Sequence, residues 1–235
     1  MSRVSALFDL QQTDSKIDSH TATITNLDSA IADTSVLDGV RAAVGTAEAA
    51  FVTARSRLRE LEATAAQQED HANKLEKQLY EGRIKGQKEM AAAQTEIDTF
   101  RKLKKETDDE SVEAMVGLED AETVYNEAKE KLAATEAEWQ RAVTAYREER
   151  SRLEAELGPL NAERQKHLKM VMPPDIPLYE KLRQQKQGVA VSEVLYGKIC
   201  SKCRMELPLV RQREIKGGTA IVTCPSCGRI LYHKF

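Results

Sequence analysis

The first 199 of the 235 residues contain no cysteine. Aromatic residues make up 5% of the chain, with one tryptophan, while charged residues reach 31%. A single large globule needs many bulky residues facing one core. A chain this poor in them buries its apolar surface along stripes, as long helices and coiled coils do. No run approaches the ~18 apolar residues of a membrane span. Residues 1 to 10 carry Arg3 and Asp9 and lack the apolar stretch of a signal peptide. The expected location is the cytoplasm, where thiols stay reduced and a disulfide framework is disfavoured. Catalytic motifs are also missing. There is no Ser-His-Asp set, phosphate-binding loop or glycine-rich dinucleotide turn, and His20, His71 and His167 are scattered. No enzyme and no small-molecule substrate are expected.

Helical periodicity fills most of the chain. Leu10, Ile17, Ile24 and Ile31 fall seven apart. Val40, Val44, Ala47, Phe51, Ala54, Leu58, Leu61, Ala65, Gln68, Ala72, Leu75 and Leu79 follow alternating steps of four and three, and eleven of the twelve are apolar. That is the narrow seam of a coiled coil. The two patterns are separated by residues 32 to 39, ADTSVLDG, whose cap-type residues predict a kink or short break. Later, Leu118, Tyr125, Leu132, Trp139, Tyr146, Leu153 and Leu160 fall seven apart, with Ala121, Ala128, Thr135 and Ala142 as small companions. Gly158-Pro159 predicts a kink there.

Between the halves lies LYEGRIKGQKEM, residues 79 to 90. Its paired Gly82 and Gly86 predict a hairpin tip near residues 80–88. Each arm then has about 75 residues and a length on the order of 110 Å at 1.5 Å per residue. A parallel dimer of extended helices is the alternative, and the oligomeric state is open. Three prolines at 173, 174 and 177 end the second arm. A short amphipathic piece, LYEKLRQQKQG, and a strand-like GVAVSEVLYGKIC follow, with Val189, Val191 and Val194 as strand-forming residues.

All four cysteines lie in the last 36 residues, as Cys200-x-x-Cys203 and Cys224-x-x-Cys227 with 20 residues between the pairs. Two residues between cysteines let both sulfurs of a tight turn face one ion, and two such turns complete a tetrahedron. This pattern predicts one structural zinc ion held by Cys200, Cys203, Cys224 and Cys227, with no position open for catalysis. A rubredoxin-like iron site and a redox dithiol are the alternatives. Gly228 follows Cys227, where a positive φ is commonly needed. Gly217-Gly218 predicts a turn and TAIVTC a strand. A module this small lacks a sufficient core, so the metal would supply its folding energy. His233 is read as a surface or packing residue.

Charge is unevenly spread. From residue 196 to the end there are eight basic and two acidic residues, a net +6, which leaves −9 for the rest of the chain. Four thiolates and one dication bring the head to +4. Such asymmetry points to an anionic partner, against a plain solvated surface. Arg211, Arg213 and Lys216 form a basic cluster, and Arg204 and Arg229 follow the two cysteine pairs. These five are the expected nucleic-acid contacts, whether to RNA or DNA. Only Tyr196, Tyr232 and Phe235 are available in the head for base stacking.

Three stretches, LYEGRIKGQKEM, GVAV and CSKCRMELP…TCPSCGRILY, resemble the bacterial four-cysteine zinc-ribbon family with a long N-terminal coiled coil. The resemblance covers essentially the whole chain. It implies a helical hairpin with a zinc ribbon near its open end, and the four cysteines as metal ligands. It also implies nucleic-acid binding and, in flagellated bacteria, links to flagellar biogenesis, the enhancer-dependent sigma factor and RNA. At residues 86–90 this chain has Gly-Gln-Lys-Glu-Met where the family tends towards Asn-Pro-Lys-Glu-Leu.

The expected fold is mainly α: a long antiparallel coiled-coil hairpin over residues 1–171, a proline-rich linker and short helix over 172–188, and a small β zinc ribbon over 189–235. The expected function is a non-enzymatic regulator or adaptor whose basic head binds nucleic acid. The alternative is a protein-interaction scaffold or chaperone-like adaptor that uses the coiled coil, for a transcription, secretion or flagellar component. A hairpin that serves only as a spacer is the plainest reading.

Overall fold

The computed structural model describes residues 2–217 and 220–234. Its elements are helices α1 (Arg3–Ala32), α2 (Ser35–Tyr80) and α3 (Gln87–Met170), a 3-10 turn (Pro173–Asp175), α4 (Ile176–Gln185), strands β1 (Val191–Leu195) and β2 (Ile199–Cys200), α5 (Leu209–Lys216) and β3 (Ile230–Tyr232). The long helices form a helical hairpin, and the cysteine-bearing sheet follows it. The chain divides into two compact units, Met1–Ala32 with Ala142–Phe235, and Asp33–Arg141.

In the second unit, α2 and the first part of α3 run antiparallel, joined by residues 81–86. Gly82 turns the chain with φ +65°, a left-handed conformation that side-chain-bearing residues adopt only at a cost. All twelve positions of the predicted α2 seam are buried or half-buried. Phe51 stacks on Tyr125 with ring centroids 5.7 Å apart, and His71 meets Phe100 edge-on at 4.5 Å. The expected break is confined to Asp33 and Thr34. The Ser35 N–H donates to Asp33 Oδ1 at 3.0 Å, and the Trp139 indole donates to Asp33 O at 3.2 Å.

In α3, Ala93, Ile97 and Phe100 keep a four-three spacing, and the stretch stays packed to Ser111 although its later seam positions are polar. Ala93, Ile97, Thr107 and Ser111 are buried. The two hydroxyls donate to carbonyls four residues back, Thr107 to Leu103 at 3.0 Å and Ser111 to Thr107 at 2.8 Å. Their polar atoms are thereby satisfied inside a seam of small residues, which lets two helices approach closely.

In the first unit, α1 lies along residues 142–170 of α3. Leu10 is buried, and Ile17, Ile24 and Ile31 are half-buried, as the heptad pattern requires. Tyr146 of the predicted stripe is 38% exposed, while Val143 is 1% exposed. A four-residue step from Trp139 to Val143 rotates the buried stripe, because a 3.6-residue helix drifts from strict seven spacing. α3 also continues through Gly158-Pro159 without interruption.

The sheet has the order β2-β1-β3. β1 pairs antiparallel with β2 and parallel with β3. The predicted single strand GVAVSEVLYGKIC is thus two strands. Tyr196 and Gly197, with φ +52° and +71°, reverse the chain between them. The predicted strand TAIVTC is irregular over its described residues 220–224, with one bridge from Thr223 to Ile230. Its Thr219, and Gly218 of the predicted turn, lie outside the described residues. The strand Ile230–Tyr232 has no counterpart in the sequence reading.

Candidate metal centre

The two Cys-x-x-Cys turns have the same backbone hydrogen bonds. The Arg204 N–H donates to Cys200 O, and the Gly228 N–H to Cys224 O, each at 2.8 Å. The Cys200 N–H donates to Met205 O at 3.1 Å, and the Cys224 N–H to Arg229 O at 2.8 Å. The residue after each second cysteine is left-handed, Arg204 at φ +59° and Gly228 at φ +77°. This backbone aims both sulfurs of each turn at one point.

The four sulfurs lie within 4.8 Å of one another, the one such group of metal-ligating atoms among the described residues. Cys200 Sγ is 3.8 Å from Cys227 Sγ, and Cys203 Sγ is 3.7 Å from Cys224 Sγ. Four sulfurs about 2.3 Å from a central zinc would be about 3.8 Å apart in a tetrahedron. The donor set therefore fits one structural zinc ion. With every position taken by sulfur, no site remains for water or substrate.

The surroundings tune the sulfurs unequally. Burial raises the Cys200 thiol, but the Cys203 N–H, the Ser192 hydroxyl and the Lys202 N–H outweigh it and bring it down to about 7. Burial pushes Cys224 up to about 12 against its own N–H donors. Ser192 is fully buried, with Oγ 3.1 Å from Cys200 Sγ.

A small core surrounds the centre, formed by Val194, Cys200, Leu207, Ile215, Val222, Cys224 and Leu231. A second core joins the base of α1 to α4 and the sheet through Leu7, Leu10, Tyr179, Ala190, Val191 and Ile230. Phe8 stacks on Tyr232 with centroids 4.2 Å apart.

Sequence reading did not find the polar contacts of this joint. Asp14, fully buried, accepts from Arg164 Nε and Tyr179 Oη, each at 2.6 Å, and faces Arg183 Nε at 3.6 Å. Arg3 pairs with buried Asp175. Gln11, 2% exposed, accepts from the N–H groups of Ala190 and Val191 at 2.6 and 3.2 Å and donates to Gly188 O at 2.7 Å. The only signal in the sequence is polar Gln11, Asp14 and Asp18 on one face of an otherwise apolar stripe.

The five expected nucleic-acid contacts are placed differently from one another. Arg213 and Lys216 are exposed on α5, on the side away from buried Ile215, with Leu209 and Val210. Arg204 is exposed at the first turn. Arg211 pairs with Glu214 at 2.7 Å. Arg229 donates to Val189 O at 2.9 Å and Lys186 O at 3.2 Å, which holds its guanidinium on the linker backbone. Of the expected stacking residues, Tyr196 is 89% exposed, Tyr232 is occupied by Phe8, and Phe235 lies outside the described residues.

A four-sulfur zinc ribbon carried by a long helical hairpin defines a structural class of metal-binding protein. Residues 199–231 match the C4-type zinc ribbon domain, and residues 10–187 match the CT398-like coiled coil hairpin domain. The chain belongs to the CT398-like coiled-coil hairpin family. It is similar in structure to CT398 from Chlamydia trachomatis, with 21% identity, TM-score 0.79 and 99% of both chains covered. A protein from Mycobacterium smegmatis matches at 21% identity and TM-score 0.68, over 98% of this chain and 99% of that one. The HP0958 protein from Helicobacter pylori matches at 17% identity and TM-score 0.55, over 99% and 97%. These likenesses establish the fold. No curated protein matches the chain. Among the described residues, no helix is long and apolar enough to cross a membrane.

Proposed function

We propose that this chain is a non-enzymatic cytoplasmic adaptor whose zinc ribbon contacts RNA or DNA through phosphates. The observation that carries this reading is the outward face of α5. Arg213 and Lys216 stand there exposed, and neither has an ion-pair partner among the described residues. With exposed Arg204 they leave three of the five expected contacts available, on a head of net +4. The zinc centre supports a binding role because its coordination sphere is closed.

Changing Arg204, Arg213 and Lys216 together to Gln tests this. Binding of fluorescent RNA and DNA oligonucleotides is measured from low to physiological salt. Loss of three phosphate contacts lowers the slope of log K against log salt by about 2 to 3. An unmodified, zinc-loaded protein that binds neither nucleic acid at low salt overturns the reading.

A second reading, a protein-interaction adaptor, is favoured by the apolar exposure beside these cations. Leu209 and Val210 are 69% and 65% exposed. The hairpin adds exposed Val112, Met115 and Val116 on α3. A double change of Leu209 and Val210 to Ser that leaves oligonucleotide binding intact but abolishes a purified partner's binding would select it.

A further inference from the structure

We infer that the base of the hairpin is a functional part of the zinc site. Gln11 and Ser192 act as positioning residues that couple docking of the head to metal affinity. The inference does not depend on what the head binds.

The contacts form an unbroken series. Gln11, on α1, uses its whole amide. Its oxygen accepts from Ala190 and Val191, and its nitrogen donates to Gly188 O and to Ser15 Oγ at 3.0 Å. This fixes the start of β1. The next residue is Ser192, whose Oγ accepts from the Lys202 N–H at 3.3 Å and lies 3.0 Å from Ser201 Oγ and 3.1 Å from Cys200 Sγ. A zinc-bound thiolate has no hydrogen, so in the 3.1 Å contact between them the Ser192 hydroxyl is the donor. Bonds of this kind orient a metal ligand and adjust its basicity.

The strands couple the same two regions through packing. Along β1, Val191 faces the core at the hairpin base and Val194 faces the core around the zinc. Along β3, Ile230 faces the first core and Leu231 the second. The Ile230 N–H donates to Ala190 O at 2.9 Å, beside the Gln11 contact. Each strand is therefore buried on both faces, and neither can shift in one core without disturbing the other. Since coupling is reciprocal, whatever docking contributes to zinc binding, zinc contributes to docking.

The test measures zinc affinity of the full chain by competition with a chromogenic chelator. Ser192→Ala should weaken zinc binding about tenfold, the lower end for partners of metal ligands. Gln11→Leu, which keeps the size of the side chain and removes its hydrogen bonds, should weaken it about fivefold at unchanged helix content. Arg57→Ala, in the other compact unit, should leave it within about twofold of the unmodified protein. Hydrogen exchange on the unmodified protein keeps the inference testable if a variant fails to fold. Amides of residues 7–14 should exchange faster after zinc is stripped. Unchanged zinc affinity in a folded Gln11→Leu protein overturns the inference, as does equal exchange at residues 7–14 with and without zinc.

Discussion

Arg204 and Gly228 hold equivalent backbone positions, one after each Cys-x-x-Cys turn, with φ +59° and +77°. Glycine reaches this conformation without steric cost, whereas a side chain loses about 1–2 kcal/mol. Space is open around Gly228, so Gly228→Ala should cost about 1 kcal/mol from the backbone alone. Arg204→Gly should be neutral to slightly stabilising, because relief of strain is offset by greater freedom of the unfolded chain. Thermal unfolding of the zinc-loaded variants checks both.

Zinc removal should unfold the ribbon and spare the long helices, because the small core around the cysteines cannot hold the knuckles without metal. A chelator should make the four thiols reactive to a labelling reagent while far-ultraviolet circular dichroism keeps its helical signal. Loss of most helical signal on chelation would contradict this.

Zinc affinity should fall as pH falls, since protons compete for the sulfurs. A thiol of the unfolded, metal-free ribbon is free of the folded site's burial and hydrogen bonds, and a free thiol titrates at about 8.5. Below that pH zinc binding must therefore displace protons from the sulfurs. The affinity should fall steeply and without a plateau from pH 8 to pH 5.5. Chelator competition from pH 8 to pH 5.5 measures the slope.

Asp14→Ala should destabilise the joint by about 2–3 kcal/mol, because it removes the carboxylate from half-buried Arg164 and buried Tyr179. Burial and the Asp14 carboxylate both push the Tyr179 phenol upward. Its ultraviolet signal should not report phenolate in the folded protein at pH 11. Chemical denaturation and an alkaline titration supply the two readings.

Gln68 occupies a seam position in α2, with a buried Oε1 that has no hydrogen-bond partner among the described residues. Gln68→Leu should raise stability by about 1 kcal/mol, as the uncompensated polar atom is replaced by apolar contact. An unchanged or lowered unfolding midpoint would contradict this.

The α2 seam was legible because a regular four-three spacing needs only local repetition. The tip was legible because Gly82 needs a left-handed conformation. The metal ligands were legible because Cys-x-x-Cys is a short-range geometric device. The later part of the buried stretch up to Ser111 was hidden, since Thr107 and Ser111 read as surface residues until their hydroxyls are seen to bond the preceding turn. β3 was hidden because Ile230-Leu231-Tyr232 is too short to show a period, and its pairing partner lies about forty residues earlier.

By itself the sequence determined the helical class, the position of the turn and the four-sulfur donor set, all of which follow from spacings within a few residues. The tertiary structure alone decided which polar residues are structural. Gln11, Asp14, Tyr179 and Arg229 find long-range partners 40 to 180 residues away. A side chain's role at such a separation depends on which strand or helix the fold places against it, and no local pattern encodes that.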